Sequence, residues 1–361
     1  MKIQQVTVNF VRLPLEEPLV GAPYMPGMLR EFFTVQVQTD EGIEGIGITG
    51  FGGKLLRSLH AALEDLGELI RGDDPLRTEQ VAAKMRAASA PCGSGIAMLA
   101  ISAIDTALWD IRGKACGVPL ARLLGGARDK VPAYASGALM RTTPTDKVQR
   151  AASALVEKGY RQVKTQMAVE GLTPKQEIER IRLIREAVGP DVNLMVDINQ
   201  RWSVAEAIAI ASRIEDIGLT WLEDPTAATD HQGLAEIASA LAMPVCAGEY
   251  LYGIEPQRQS LAHHSVDIVM IDVLRAGGIT GWMKIAAMAE AFNRPVVSHL
   301  LPEIQVHTVA AAPNGLVIEY MPWTRRLFEN PPTPEKGEMT VPSAPGLGLK
   351  FAADLFTKYG I

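Results

Sequence analysis

Asp197, Glu223 and Glu249 each close a short apolar run (LMVD, TWLE and VCAGE), and they follow one another at intervals of 26 residues. One strand, one helix and two short loops take up roughly 25 residues. The equal spacing therefore puts the three carboxylates at the same end of successive parallel strands. Three hard oxygen ligands converging at the mouth of a barrel suit Mg²⁺. The same position in the other apolar runs is held by Lys164 and Gln166, Asn199, Asp272, His299 and Glu319. Any one of these acids, taken alone, reads equally well as a surface carboxylate or a helix N-cap. Five acids, an amine and an imidazole gathered at one mouth read as a metal-assisted site for acid–base chemistry.

The elements that must hold these residues can be read from periodicity. From Val131 to about Glu319, eight strand-like runs (VPAYAS, QVKTQM, LMVDI, TWLE, MPVCAG, DIVMIDV, PVVSH and LVIEY) alternate with amphipathic helical patterns. One helix has both ends written out: Thr173 as N-cap, Pro174 at N1, Gln176 at N3 in a capping box, and Gly189 as the stop. Ile178, Ile181, Ile184 and Val188 form its apolar face. The α/β pattern predicts a (β/α)8 barrel or a close variant, with the last helix replaced or shortened and the active site at the C-terminal strand ends. The first 127 or so residues lack this rhythm. Val6–Phe10 and Phe33–Val37 read as strands, the turn Asp40-Glu41-Gly42 leads back into a strand ending near Ile48, and helices are expected over about 57–71, 75–88 and 95–115. Strands first and helices after make an α+β module. The tail from about 323, rich in Pro and Gly, is expected to pack back onto that module. The expected partition is 1–127, 128–322 and 323–361.

The 361 residues are 47% hydrophobic and 21% charged, with a net charge of −6, as in a globular protein with a substantial core. Basic residues are scattered, which argues against a nucleic-acid partner. Cys92, Cys116 and Cys246 show no CxxC or CxxH spacing, which argues for reduced thiols and against a zinc site. No run approaches the roughly 20 apolar residues of a membrane span, and MKIQQVTVNF reads as a strand rather than a signal peptide. A cytoplasmic enzyme acting on a small molecule is the expectation. Gly45, Gly47 and Gly50 match GxGxxG, but they lie in the returning strand of a meander, where a dinucleotide site is not expected. His263-His264 falls at a helix end away from the strand mouths, where interaction with the helix C-terminus is preferred over metal binding.

The motifs VKTQ, MVDINQRW, WLEDP, GEYLYG, IDVLRAGGITGW, SHLLPEI, VIEYMPW and PGLGL resemble the enolase superfamily, specifically its mandelate racemase subgroup, over nearly the whole chain. The resemblance implies an α+β capping domain over a modified TIM barrel, (β/α)7β. It implies Asp197, Glu223 and Glu249 as Mg²⁺ ligands, Asp272 and His299 as an Asp–His dyad on adjacent strands, and Glu319 as the acid that meets the substrate carboxylate. Such a site suits proton abstraction beside a carboxylate, whose enediolate product carries two negative charges. Mg²⁺ stabilises that charge as a Lewis acid, and enolase-type enzymes are themselves the standing example of a Lys or His base working with Mg²⁺. His299 can take and return a proton near neutral pH, Asp272 would hold its tautomer, and a protonated Glu319 could donate a hydrogen bond to the enediolate.

The subgroup usually carries Lys-x-Lys at the end of the second barrel strand, whereas this chain has Lys164-Thr165-Gln166. Gln166 cannot abstract a proton, and Lys164 remains as a fixed positive charge. Racemisation needs groups on both faces of the substrate, but loss of water can use His299 as base and then as acid. The expectation is a Mg²⁺-dependent dehydratase of an aldonic or aldaric sugar acid. The alternatives are a racemase or epimerase of a 2-hydroxy acid, with Lys164 or a water on Gln166 as second base, and a catalytically silent sugar-acid binding protein. By resemblance, loops at about 18–31 and 49–54 close over the substrate. The first offers Tyr24 and Arg30 as substrate contacts, and Asn199 resembles a residue of sugar-acid dehydratases. Homo-oligomers are common in the family.

Overall fold

Three antiparallel strands open the chain in the order β1 (Ile3–Pro14), β2 (Leu29–Thr39) and β3 (Glu44–Thr49). The computed structural model describes residues 1–15, 19–20 and 27–361. Helices Leu56–Leu69, Thr78–Ser89 and Ile96–Cys116 follow. The last of these lies so close to β3 that only glycine fits between them. A Cβ on Gly47 would sit 1.9 Å from the Ala103 carbonyl oxygen, and one on Gly45 would sit 2.0 Å from that of Ala107. The GxGxxG pattern therefore serves strand–helix packing and not a nucleotide.

The barrel strands are buried on both faces and so read as near-continuous apolar runs. They are β4 (Lys130–Leu139), β5 (Gln162–Gln166), β6 (Asn193–Asp197), β7 (Trp221–Glu223), β8 (Val245–Ala247), β9 (Ile268–Asp272), β10 (Val296–His299) and β11 (Gly315–Tyr320). Each pairs in parallel with the next, and β11 pairs with β4 to close the ring. Helical connections span each of the seven crossings. After β11 a short 3-10 turn, Pro322–Leu327, stands where an eighth helix would be, which is the (β/α)7β architecture. The helix Pro174–Val188 has the full Thr173–Gln176 capping box. Inside the barrel, beneath the mouth, Tyr134, Met195, Trp221, Cys246, Met270 and Val297 form a separate apolar plug.

The chain beyond residue 323 touches both the barrel and the N-terminal module. β12 (Glu338–Thr340) pairs antiparallel with β4, Gly346 bridges to Pro119, and Gly360 bridges to Val11. His307, on the buried barrel helix Pro302–Ala311, joins the three parts. Its Nδ1 accepts the Ala121 N–H at 3.2 Å, and its Nε2–H donates to the Leu347 carbonyl at 3.0 Å. Burial pushes its pKa down to about 4, so the ring is neutral. Among the described residues, no helix is long and apolar enough to cross a membrane.

Candidate active site

Strand register brings the expected residues to one end of the barrel. Gln166 pairs with Asp197, Asp197 with Glu223, and Asp272 with His299. At this end the backbone leaves extended geometry abruptly. Asn199, Gln200, Asp224, Leu300 and Leu301 all have positive φ, between +40° and +63°. Left-handed non-glycine residues are costly and cluster where a site dictates side-chain direction. After β10 the turn is held by Gln305, whose Nε2 donates to the carbonyls of His299 at 2.5 Å and Leu300 at 2.8 Å.

The carboxylates lie too close together to be at ease. Oxygens of Glu223, Asp224 and Glu249 lie within 4.8 Å of one another, all buried. Among the described residues, neither oxygen of Asp224 has a hydrogen-bond partner, nor does Glu249 Oε2. Burial and the neighbouring acids push Glu223 up to about 8 and drive Glu249 and Asp224 well above the carboxylate range. Lys164 Nζ lies 2.5 Å from Glu223 Oε1 and 2.8 Å from Glu319 Oε1. Burial opposes its charge, but the two glutamates outweigh burial and hold it well above the lysine range. Lys164 pulls Glu223 down, but burial and the charges of Asp197 and Glu319 outweigh it, so acid exceeds base at this end. A divalent cation would relieve that excess, so the donor set fits Mg²⁺. Asp197 stands slightly apart from this cluster. Its Oδ1 accepts the Asn199 N–H at 2.7 Å, and its Oδ2 has a long 3.4 Å contact with Gln166 Nε2.

His299 and Asp272 form a dyad. Nδ1 of His299 lies 2.6 Å from Asp272 Oδ2, while Asp272 Oδ1 accepts the N–H groups of Leu274 and Arg275 at 2.7 and 3.0 Å. Burial would raise Asp272, but the His299 hydrogen bond and the charges of Arg275 and His299 hold it below its usual pKa. Nδ1–H is thereby fixed as a donor, and Nε2 is turned to the Glu249 side, 3.4 Å from Oε1. Burial disfavours the charged ring, but Glu249 and Asp272 outweigh it and raise the pKa of His299. Glu319 departs from expectation. Its Oε2 accepts the Leu300 N–H at 2.6 Å, and burial would raise it, yet Lys164 and His299 hold it at about 2. It is an ionised acceptor here and not a protonated donor.

Lys164, Asp197, Glu249, His299 and Glu319 line a cavity of about 260 Å³ that Phe51 and Arg30 also line from the cap. Phe51 stacks on His299 with ring centroids 6.3 Å apart, and Arg30 lies 3.9 Å over the Trp323 ring. Tyr24 lies outside the described residues. Gln166 is fully engaged: its Oε1 accepts the Arg141 N–H at 3.2 Å, and its Nε2 donates to Asn199 Oδ1 at 3.0 Å as well as meeting Asp197. Asn199 in turn donates to the Tyr250 hydroxyl at 3.3 Å. Sequence reasoning passed over Asp224, Tyr250, Arg275 and Arg141. The first three sit inside the motifs WLEDP, GEYLYG and IDVLRAGG, which were the available signal. Arg275 Nη1 donates to the Glu249 carbonyl at 2.8 Å and lies 3.8 Å from Asp272 Oδ2. The decoy His263 donates through Nδ1 to the Gln259 carbonyl at 2.8 Å, at the C-terminus of its helix.

A closed parallel barrel carrying acids, a lysine and an Asp–His dyad on its strand ends, beneath an α+β cap, defines an enolase-type enzyme. The chain belongs to the mandelate racemase/muconate lactonizing enzyme family: residues 5–125 match the N-terminal domain of that family, and residues 147–355 match the domain described as enolase C-terminal domain-like. It is 31% identical over 354 residues to the L-talarate/galactarate dehydratase of Salmonella typhimurium, covering 96% of this chain and 88% of that one. It is 29% identical to the D-galactarolactone cycloisomerase of Agrobacterium fabrum, covering 99% of each. A crystal structure of L-talarate dehydratase from Polaromonas sp. JS666, complexed with Mg and L-glucarate, superposes with a TM-score of 0.89 at 31% identity, covering 99% of this chain and 97% of that one.

Proposed function

We propose that the protein is a Mg²⁺-dependent sugar-acid dehydratase, which removes the proton beside the carboxylate of an aldonic or aldaric acid and eliminates the neighbouring hydroxyl as water. The observation that carries this reading is the one-sidedness of the cavity. His299, oriented by Asp272 at 2.6 Å, is poised as a base, while Gln166 has its hydrogen-bonding groups engaged. Lys164 is held charged between two carboxylates. Asp197, Glu223 and Glu249 are assigned as metal ligands. Asp197 is preferred to Asp224 because it lines the cavity with Glu249 and is paired in register with Glu223, while Asp224 adds negative charge beside Glu223 and Glu249. Bound there, Mg²⁺ would stabilise the charge that develops on the substrate carboxylate.

The remaining steps belong to the chain. His299 Nε2 accepts the α-proton, and its Nε2–H then delivers that proton to the departing hydroxide, leaving an enol that becomes a 2-keto-3-deoxy acid. Lys164 places a fixed positive charge by the reacting carboxylate, and Glu319 holds both Lys164 and the Leu300 amide in place. Asn199 is assigned to a substrate hydroxyl, and Tyr24 and Arg30 to the cover over it. The free thiols of Cys92, Cys116 and Cys246 fit a reducing cytoplasm, and a homo-oligomer, common in the family, is part of the proposal, testable by sedimentation velocity. The functional test is a panel of sugar-acid stereoisomers assayed for 2-keto-3-deoxy product with and without Mg²⁺. Exchange and inversion of the α-proton without loss of hydroxyl would make the protein an epimerase. Tight Mg²⁺-dependent binding without exchange would make it a silent binding protein.

A further inference from the structure

Among the described residues, four cationic side chains line the cavity: Arg30, Arg141, Lys164 and Arg275. Three of them are already engaged. Lys164 pairs with Glu223 and Glu319, Arg275 meets Asp272 and the Glu249 carbonyl, and Arg30 lies over Trp323. Arg141 differs. Its Nε donates to the Met167 carbonyl at 3.1 Å, and its Nη2 reaches the Ile198 carbonyl at 3.5 Å. No carboxylate pairs with it among the described residues, and Arg141 lines the cavity. Burial lowers its pKa, with Asp197 as the strongest opposing influence. A half-desolvated guanidinium without a counter-ion is unfavourable unless a ligand supplies one.

The placement is also built. Arg180, buried beneath β5, donates to the carbonyls of Met140 at 3.0 Å and Thr143 at 3.4 Å, on either side of Arg141, and to Thr165 Oγ1 at 3.1 Å. The loop carrying Arg141 is thereby pinned to the barrel. The guanidinium lies over the ends of β5 and β6, and β10 with His299 stands on the far side of the ring from β6. An acid whose first carboxylate lies at the metal cluster and whose α-carbon faces His299 thus has one unpaired cation left for its other end.

We propose that Arg141 binds a second, terminal carboxylate, so that the substrate is a dicarboxylic sugar acid and not an aldonate. This rests on the dehydratase reading for the position of the first carboxylate. The test compares wild type, R141Q and R141K on matched aldarates and aldonates that differ only in the terminal group. Binding is followed by calorimetry in Mg²⁺ and turnover by keto-acid formation, with thermal melts to confirm folding. The best aldarate should bind wild type at least tenfold more tightly than its aldonate. R141Q should lose roughly 10- to 100-fold for the aldarate, the range expected for charge-assisted hydrogen bonds. The aldonate should change little, and R141K should recover part of the loss. Equal losses for both acids, no loss, or absence of Mg²⁺-dependent aldarate binding would each overturn the role of Arg141. If neither class gives keto acid, the dehydratase reading falls, and the binding arm alone still decides Arg141.

Discussion

Replacing Asp272 by Asn tests the His299 dyad with little other disturbance. Asp272 Oδ1, which accepts two backbone N–H groups at 2.7 and 3.0 Å, survives as the amide oxygen. The other oxygen, 2.6 Å from His299 Nδ1, becomes an NH₂ donor. The imidazole must then accept at Nδ1 and carry its proton on Nε2, the atom that has to take the substrate proton. The lost charge adds to this: a unit pair about 4 Å apart is worth about 4 kcal/mol at an effective dielectric of 20, or about three pKa units. The same change in Ser-His-Asp triads costs about 10⁴ in kcat. D272N should therefore lower kcat by roughly 10³- to 10⁴-fold while moving KM by less than about threefold. Initial rates of keto-acid formation and α-proton exchange should fall together. If D272N kept kcat within tenfold of wild type, the orientation argument would be wrong.

Other consequences lie away from the dyad. His307 is held neutral with its pKa near 4, below the ordinary 6.5, so the unfolded chain takes up the proton first as pH falls. Its contribution is full above about pH 6.5 and is lost toward pH 4, by up to about 3 kcal/mol. Urea unfolding of wild type and H307Q across that window should show this difference in slope. Gly47→Ala places a Cβ 1.9 Å from the Ala103 carbonyl oxygen and should destabilise the protein by on the order of 3 kcal/mol, seen as a lowered denaturation midpoint. Mg²⁺ should raise the melting temperature, by the equivalent of about 2.7 kcal/mol at a hundred times its Kd, and E249Q should largely abolish that rise.

The barrel was legible because most strands are short apolar runs that end at or beside a polar or charged residue, and because Thr173-Pro174 and Gly189 mark a helix at both ends. What was missed depends on local geometry. Asp224 follows Glu223, so strand alternation would turn it to the opposite face. Its φ of +40° turns the backbone instead and buries it among the acids. Arg141 follows a register shift between Ala135 and Leu139, which breaks the count along β4. Phe51 reaches His299 from the cap across some 250 residues of sequence. The ionised state of Glu319 follows from Lys164 lying 2.8 Å away, a distance no spacing rule supplies.

In the proposed mechanism one base, His299, works on one side of a metal-held sugar acid. The direct measurement follows the preferred acid by NMR in D₂O with Mg²⁺, for wild type and H299N. H299N should lose both α-proton exchange and keto-acid formation by roughly 10²- to 10⁴-fold, while substrate binding persists. Continued exchange or dehydration by H299N at near wild-type rate would contradict this mechanism.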